Sequence, residues 1–246
     1  MLLENWKNTT IVDLSQTISH MQYVSNPGVN QRPAFWDRKT HETTLGTFRK
    51  APELSWHMRD LLMGEHISTH VDALCHFTPG ESAWCIEKMP LSSFVAPALC
   101  VDLSHIDPSR WIQVADLKEA VAKTGLTIRN GDIFLYHLNY YQRAPEPPYP
   151  TDWAGLDWDA TNWLADQGVP DIGCETPSID CWLAMREDSD PCFPAHRTCR
   201  ERGITNIENL ADLSPVVGKR FLFVGLPLKL RGGTGCPIRA IAILED

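Results

Sequence analysis

Long apolar runs are missing from this sequence. No stretch approaches the ~18 consecutive apolar residues that a membrane-spanning helix needs. The longest such run, FLFVGL at 221–226, is typical of a buried strand. The first ten residues, MLLENWKNTT, place an acid and polar residues where a signal peptide needs an apolar core. We therefore expect no membrane association and predict a cytoplasmic protein.

Positive charge is also scarce. Lysine and arginine total 22 against 31 acidic residues, the net charge is −9, and the basic residues form no run. Nucleic acids and anionic membranes are bound through basic patches, so neither is an expected partner. The eight cysteines include no CxxC pair, which argues against a zinc ribbon. We expect them to be reduced thiols, mostly packed in the core.

The remaining composition is that of a globular protein. Hydrophobic residues make up 43% and charged residues 22% of the 246 positions. This length fits one large domain or two small ones and can bury a substantial core. No internal repeat or low-complexity linker is visible.

Strand and helix patterns alternate along the chain. Val114, Leu117 and Val121 recur at helical spacing, and Gly125 follows as a helix end. Gly168 and Gly203 are likewise expected to end helices, the second of which has Pro194 near its first turn. Strand–helix–strand passages indicate the α/β class, and strands without intervening helices favour a mixed sheet over a plain doubly wound one. The predicted helices are 114–123, 158–167 and 194–202, and the predicted strands are 10–14, 66–72, 97–103, 132–138, 169–174, 221–226 and 238–244.

Two long segments carry no regular pattern. Residues 24–52 are polar and irregular, and residues 144–153 are rich in proline. Long loops in compact domains are commonly functional. Tyr23, Phe35 and Trp36 could wall a substrate pocket there, or they could pin the loop to the core.

Potential metal ligands are densest in HISTHVDALCH, residues 66–76. His70 and Asp72 are two positions apart, so on a strand both side chains point to the same face. His76 follows four residues later, where a loop could fold back. Two imidazoles and a carboxylate suit zinc, manganese or iron, and three protein ligands leave positions open for water. A lone histidine is commonly a surface or core residue, but this cluster favours a metal site.

A second candidate pair lies far downstream. His196 falls on the predicted helix 194–202, and Glu208 follows the turn at Gly203. The turn could return the carboxylate beside the imidazole. Spacing alone does not distinguish this arrangement from a histidine on a helix face and a solvated glutamate.

Four motifs in the same order resemble the cyclase-like metal hydrolases, a family that includes bacterial kynurenine formamidase and isatin hydrolase. Residues 66–76 resemble its HxGTHxDxPxH signature, and IGCETPSID at 172–180 resembles its IGxDTxSxD strand. GITNIENL at 203–210 is similar to its GIxxIENL segment. PLKL at 227–230 and GTGCPIRA at 233–240 are similar to its closing phrase. The resemblance covers nearly the whole chain.

The resemblance implies a single compact β/β/α domain over residues 1–246, of the swivelling cyclase-like type. It implies a homodimer or homotetramer that binds one or two divalent ions, zinc or manganese. Asp72 and Glu208 would be the carboxylates able to bridge two ions. The implied metal ligands are His70, Asp72, His76, His196 and Glu208.

The chain departs from the family pattern at four positions. Ser68 replaces a glycine, Leu74 a proline and Glu175 an aspartate. Gly80 stands where some members carry a catalytic histidine.

The usual general base is therefore absent or supplied elsewhere. Our catalytic candidates are Glu208, if it is loosely ligated, and His66. His66 could instead orient a ligand.

The resemblance predicts a metal-dependent amidohydrolase that cleaves a C–N bond other than a peptide bond, with a metal-activated water. Its small-molecule substrate would be an aryl-formamide, as for kynurenine formamidase, or a cyclic amide such as an isatin-like lactam. A cyclase or dehydratase, or a non-catalytic metal-binding member of the fold, is the alternative. Phe35, Trp36 and Arg239 are candidate substrate-binding residues, although a structural salt bridge is the favoured role of Arg239.

Overall fold

The computed structural model describes residues 8–20, 32–78, 84–143, 151–186, 189–190 and 192–245. Tyr23, Gly80 and most of the Pro-rich segment 144–153 lie outside these ranges. The predictions made for them stay predictions.

The described strands are β1 (Thr9–Asp13), β2 (Ala34–Lys39), β3 (Met58–Leu62), β4 (His70–Asp72), β5 (Val95–Asp102), β6 (Trp111–Ile112), β7 (Ile133–His137), β8 (Gly155–Leu156), β9 (Asp171–Cys174), β10 (Thr205–Glu208), β11 (Arg220–Val224), β12 (Gly235–Pro237) and β13 (Ile241–Glu245). The α-helices are α1 (His41–Thr44), α2 (Val114–Thr124), α3 (Tyr140–Arg143), α4 (Trp158–Asp166) and α5 (Pro194–Arg202). Short 3-10 turns cover Ile86–Lys88, Leu91–Ser93, Trp182–Met185 and Ser214–Val216.

Nine of the described strands form one mixed sheet in the order β1-β13-β11-β5-β7-β9-β10-β4-β12. The central strands β5, β7, β9 and β10 are parallel, and the strands on both sides of them are antiparallel. This arrangement confirms the predicted α/β class and the mixed sheet. The described part of the chain has no helix long and apolar enough to cross a membrane.

Two apolar clusters lie on opposite faces of the central strands. Phe134 and Tyr136 of β7 pack with residues of α2 and α4 on one face. Ile133 and Leu135, the alternate residues of β7, pack in the other cluster. That cluster also contains Val71 of β4 and Phe223 of β11, strands far apart in the sheet order, because the sheet curls.

Left-handed glycines cap two of the confirmed helices. α2 stops at Gly125 and α5 at Gly203, each with φ of 70°, which is the left-handed conformation that glycine adopts without steric cost. The predicted helix 158–167 is confirmed as α4. The predicted strand 66–72 is regular only over β4, because Ser68 has φ of 55° and interrupts the extended backbone.

The prediction that residues 24–52 are irregular is wrong for their described part, which contains β2 and α1. β2 pairs with β3 as a separate antiparallel hairpin. Buried apolar and exposed polar side chains do not alternate along this hairpin, since the apolar residues Trp36, Leu61 and Leu62 are all exposed. The usual sequence signal of a half-buried strand is therefore missing.

The expectation of fully reduced cysteines is also wrong. Cys75 and Cys85 form a disulfide, with their Cα atoms 5.1 Å apart. Backbone contacts bring the two residues together, since the Cys75 N–H donates to the Trp84 carbonyl at 3.2 Å. The other cysteines are free, and all of them except Cys192 are buried as expected.

Alanine at Gly155 should destabilise the fold. A Cβ atom there would overlap the backbone at Asp180 and Cys181, at 2.6 Å from the Asp180 carbonyl oxygen. Backbone atoms cannot move aside as a flexible side chain can, so we expect a loss of about 3 kcal/mol in the free energy of unfolding. Chemical denaturation measures this loss.

Gly218→Ala is the matched control. Its Cβ would meet no atom within 4 Å, but φ is +71°. The strain of that conformation should cost about 1 kcal/mol. Equal losses in the two variants would contradict the proposed overlap at Gly155.

Candidate metal centre

The pairing of β4 with β10 brings distant residues of the sequence together. In this antiparallel ladder His70 lies opposite Glu208, and Asp72 lies opposite Asn206. Directly opposed side chains share one face of the sheet, so all four converge. His70 Nε2 is 3.3 Å from Asp72 Oδ1 and 3.5 Å from Glu208 Oε2.

Helix α5 adds His196 to this group. Its Nε2 lies 3.4 Å from Asp72 Oδ2 and 3.3 Å from Glu208 Oε1. The first turn of α5 is anchored by Asp180, whose carboxylate accepts the backbone N–H groups of Ala195 and His196 at 2.7 and 3.2 Å. The structure therefore brings together four of the five predicted ligands, and all four are buried.

The imidazoles of His70 and His196 each have one nitrogen turned outward. His70 Nδ1 lies 2.8 Å from the Ser68 carbonyl oxygen, and His196 Nδ1 lies 2.5 Å from Asp180 Oδ2. Both partners only accept hydrogen bonds, so each Nδ1 carries the hydrogen. In the neutral rings the two Nε2 lone pairs then face the carboxylates of Asp72 and Glu208.

A lone pair that faces a carboxylate needs a positive charge between them. His70 Nε2 is buried and has no hydrogen-bond partner. Imidazole nitrogens and carboxylates are ligands of zinc and manganese, and a histidine that donates its other N–H to a carboxylate is typical of metal sites. The residues present therefore fit a divalent cation.

The pKa values describe the same demand for positive charge. Burial alone would lower the pKa of His196, but Asp180, Asp72 and Glu208 hold it well above its usual value. Burial would raise the pKa of Asp72, but the facing imidazoles of His196, His66 and His70 hold it well below its usual value. Burial and then the charge of Asp72 raise the pKa of Glu208.

His66 and His76 lie on the outer side of Asp72. His66 Nδ1 is 2.6 Å from Asp72 Oδ1. His76 Nε2 is farther away, at 4.0 Å from Asp72 Oδ2, and its side chain is 33% exposed. The two rings stack with their centroids 4.0 Å apart. Burial lowers the pKa of His76 to about 4, against the opposing charge of Asp72, so this ring is neutral at pH 7.

The predicted substrate-binding residues lie on different elements from the candidate ligands. Phe35 and Trp36 lie on the β2–β3 hairpin, where the Phe35 N–H donates to His20 Nδ1 at 2.9 Å. Arg239 forms a two-pronged ion pair with Asp13, at 2.9 and 2.6 Å. Arg239 therefore forms a structural salt bridge, one of the two roles considered for it from the sequence.

The sequence predictions missed two residues of the centre. Asp180 orients His196, although it belongs to the 172–180 motif and was given no role. Asn206 donates to Asp72 Oδ2 at 3.0 Å and to Glu208 Oε1 at 3.3 Å. Its spacing of two from Glu208 on a strand was the available signal.

A further group of possible ligands, His137, Glu175 and Asp212, is different in kind. Glu175 Oε1 accepts from His137 Nδ1 at 2.7 Å and from the Leu213 N–H at 3.0 Å. Its Oε2 accepts from the N–H groups of Leu138 and Tyr140, at 3.2 and 2.9 Å. The carboxylate is already satisfied, so Glu175 acts as a structural cross-link at the ends of β7 and β9.

Comparisons with known proteins agree with the geometry. A family model described as "Putative cyclase" matches residues 12–181. A kynurenine formamidase of Salinibacter ruber is 29% identical over 232 residues, which cover 94% of this chain and 96% of the relative. An isatin hydrolase of Roseibium aggregatum is 28% identical over 212 residues, which cover 78% of this chain and 76% of the relative.

The fold is shared with solved structures as well. Isatin hydrolase A from Labrenzia aggregata, bound to benzyl benzoate, superposes with a TM-score of 0.82 at 21% identity, over 100% of this chain and 98% of that one. The matched residues 12–181 include the 66–76 segment, which supplies His70 and Asp72. The chain belongs to the cyclase family.

Proposed function

We propose that this protein is a metal-dependent amidohydrolase that cleaves a C–N bond other than a peptide bond in a small molecule. The observation that carries the proposal is the buried group in which two imidazole nitrogens face Asp72 and Glu208 within 3.5 Å. Kynurenine formamidase and isatin hydrolase are relatives over most of the chain. The first candidate substrate is an aryl-formamide, and the second is an isatin-like lactam.

Zinc or manganese, as one or two ions, is the proposed cofactor. When bound, such a cation polarises a carbonyl oxygen and lowers the pKa of its bound water to about 7. His70, Asp72, His196 and Glu208 would hold it. Each carboxylate turns one oxygen toward His70 and the other toward His196, so Asp72 and Glu208 would be able to help hold a second ion as well as a first.

The protein's own residues keep these groups in place during the reaction. Asp180 and the Ser68 carbonyl hold the hydrogens of His196 and His70 on the outward nitrogens. Asn206 donates to both carboxylates and so holds them in position. A general base must also accept a proton from water and deliver it to the leaving nitrogen.

Two assignments of the remaining histidines follow. In the first, which the sequence suggests, His76 is a ligand and His66 or Glu208 is the general base. In the second, His66 is a metal ligand and His76 is the general base. It is supported by the 2.6 Å approach of His66 to Asp72 and by the greater distance and exposure of His76, which suit a group that exchanges protons with solvent.

Metal removal tests the function. Complete chelation should abolish hydrolysis of a panel of aryl-formamides and cyclic amides, and zinc or manganese should restore it, because the Lewis acid is essential. Product mass distinguishes hydrolysis, which adds water, from a dehydratase, which removes it. Full activity of the metal-free protein would refute the mechanism.

Alanine variants of His66 and His76 separate the two assignments. Under the second, His66→Ala should lose bound metal, whereas His76→Ala should keep it and lose about 100-fold or more in kcat. Elemental analysis and steady-state kinetics at saturating metal measure both quantities. His105→Ala, an exposed histidine elsewhere, is the control. The reverse pattern would support the first assignment.

We also propose a homodimer or homotetramer. Its support is the β2–β3 hairpin, which exposes large apolar side chains that a second copy would cover. Trp36, Met58, Leu61 and Leu62 are 52%, 48%, 59% and 64% exposed.

Glutamate at both Leu61 and Leu62 should therefore reduce the molar mass to that of a monomer in light scattering after gel filtration. Leu91→Glu, at a 68% exposed leucine outside the hairpin, should leave the mass unchanged. A monomeric wild-type protein at micromolar concentration would refute the proposal.

A cytoplasmic location completes the proposal. It is supported by the free thiols of the described cysteines outside the disulfide. The Cys75–Cys85 disulfide favours an oxidising compartment instead, because cytoplasmic thiols are kept reduced. Mass spectrometry after rapid alkylation of cells that produce the protein tests this location. A Cys75–Cys85 disulfide in most molecules would contradict it.

A further inference from the structure

A chain of hydrogen bonds leads outward from the metal centre on the side of His66. His66 Nε2 lies 2.9 Å from Thr234 Oγ1. The hydroxyl oxygen and the backbone nitrogen of Thr234 both lie 2.8 Å from Glu65 Oε2. We propose that Glu65 and Thr234 are positioning residues that fix the His66 ring toward Asp72 and thereby tighten metal binding. This inference rests on the proposed function.

The direction of the hydrogen bonds follows from the donors available. The Glu65 carboxylate only accepts, so it takes both the backbone N–H and the hydroxyl hydrogen of Thr234. Thr234 Oγ1 has then used its one hydrogen and accepts from His66 Nε2–H. In the absence of metal His66 Nδ1 donates to Asp72 Oδ1 at 2.6 Å, because a carboxylate only accepts. A bound cation would take the place of that hydrogen.

His66 thus has the same arrangement as His70 and His196, but with a different kind of partner. Those two rings donate to a carbonyl oxygen and a carboxylate, which can only accept. A threonine hydroxyl can either donate or accept. Glu65 removes this ambiguity, because it accepts the hydroxyl hydrogen and leaves Thr234 Oγ1 to act as the acceptor.

The backbone holds the chain of hydrogen bonds in place. The Thr234 carbonyl accepts the Ala73 N–H at 2.8 Å, which joins it to the residue after β4. Gly235 lies directly against the ring, since a Cβ there would come 2.5 Å from His66 Cε1. His66 is also stacked on His76, so its ring has little freedom to turn away from Asp72.

The test is metal affinity, measured by competition with a fluorescent chelator for zinc and for manganese. Thr234→Val removes the hydroxyl at nearly constant shape. Glu65→Gln introduces an amide that can donate to the hydroxyl and reverse its direction. We expect each to weaken binding about 10–100-fold, as loss of a partner that orients a ligand does. Thr234→Ser, which keeps the hydroxyl, should restore affinity to near the wild-type value.

Thr127→Val, at an exposed threonine elsewhere, is the control. Thermal unfolding of the metal-free variants checks that the fold is intact, and Glu65→Gln changes the packing least. If the wild-type protein binds metal and Thr234→Val and Glu65→Gln bind it equally well, this inference alone is overturned. If the wild-type protein binds neither metal, the proposed function and this inference fall together.

Discussion

The antiparallel pairing of β4 with β10 is the contact on which the metal centre depends. It places His70 opposite Glu208 and puts two buried carboxylates within reach of two imidazoles. Burying carboxylates costs free energy unless positive charge or hydrogen bonds compensate them. Asn206 donates to both carboxylates, and the carboxylates raise the pKa of His196 and so favour its charged form. A bound cation would supply the remaining positive charge. The geometry of the centre thus follows from one register.

The imidazoles are held from the outside by partners of different chemistry. A backbone carbonyl holds His70, a carboxylate holds His196, and a hydroxyl with a carboxylate behind it holds His66. These partners come from separate parts of the chain. Most of the precision of the centre therefore lies in residues that would not touch a metal, and Asp180 connects it to the packing of β8 through Gly155.

Local signals in the sequence predicted the regular elements well. α2, α4 and α5 were predictable because a glycine follows each helix, with apolar spacing inside α2 and a proline in the first turn of α5. These signals need no reference to the rest of the chain. β10 and β12 were not predicted; both pair with β4, which lies far earlier in the sequence. The exposed β2–β3 hairpin gave no alternation of burial to detect.

The candidate site divides in the same way. The ligand residues of the 66–76 segment could be proposed from their own spacing, whereas His196 and Glu208 needed the family resemblance. Asp180 could not be predicted as a partner of His196, because nothing in the sequence says which nitrogen of that ring faces inward. Likewise, the proximity of Cys75 to Cys85 depends on backbone contacts that only the fold defines.

The position of β4 has a consequence for the order in which the chain folds. β4 ends at residue 72, yet its two neighbours in the sheet are β10 and β12, which begin at residues 205 and 235. A chain emerging from the ribosome therefore carries the 66–76 segment for more than half of its synthesis without either neighbour. Contacts between such distant segments are slow to form. Metal binding and the final closure of the sheet should accordingly be late, mutually dependent events in the life of each new molecule.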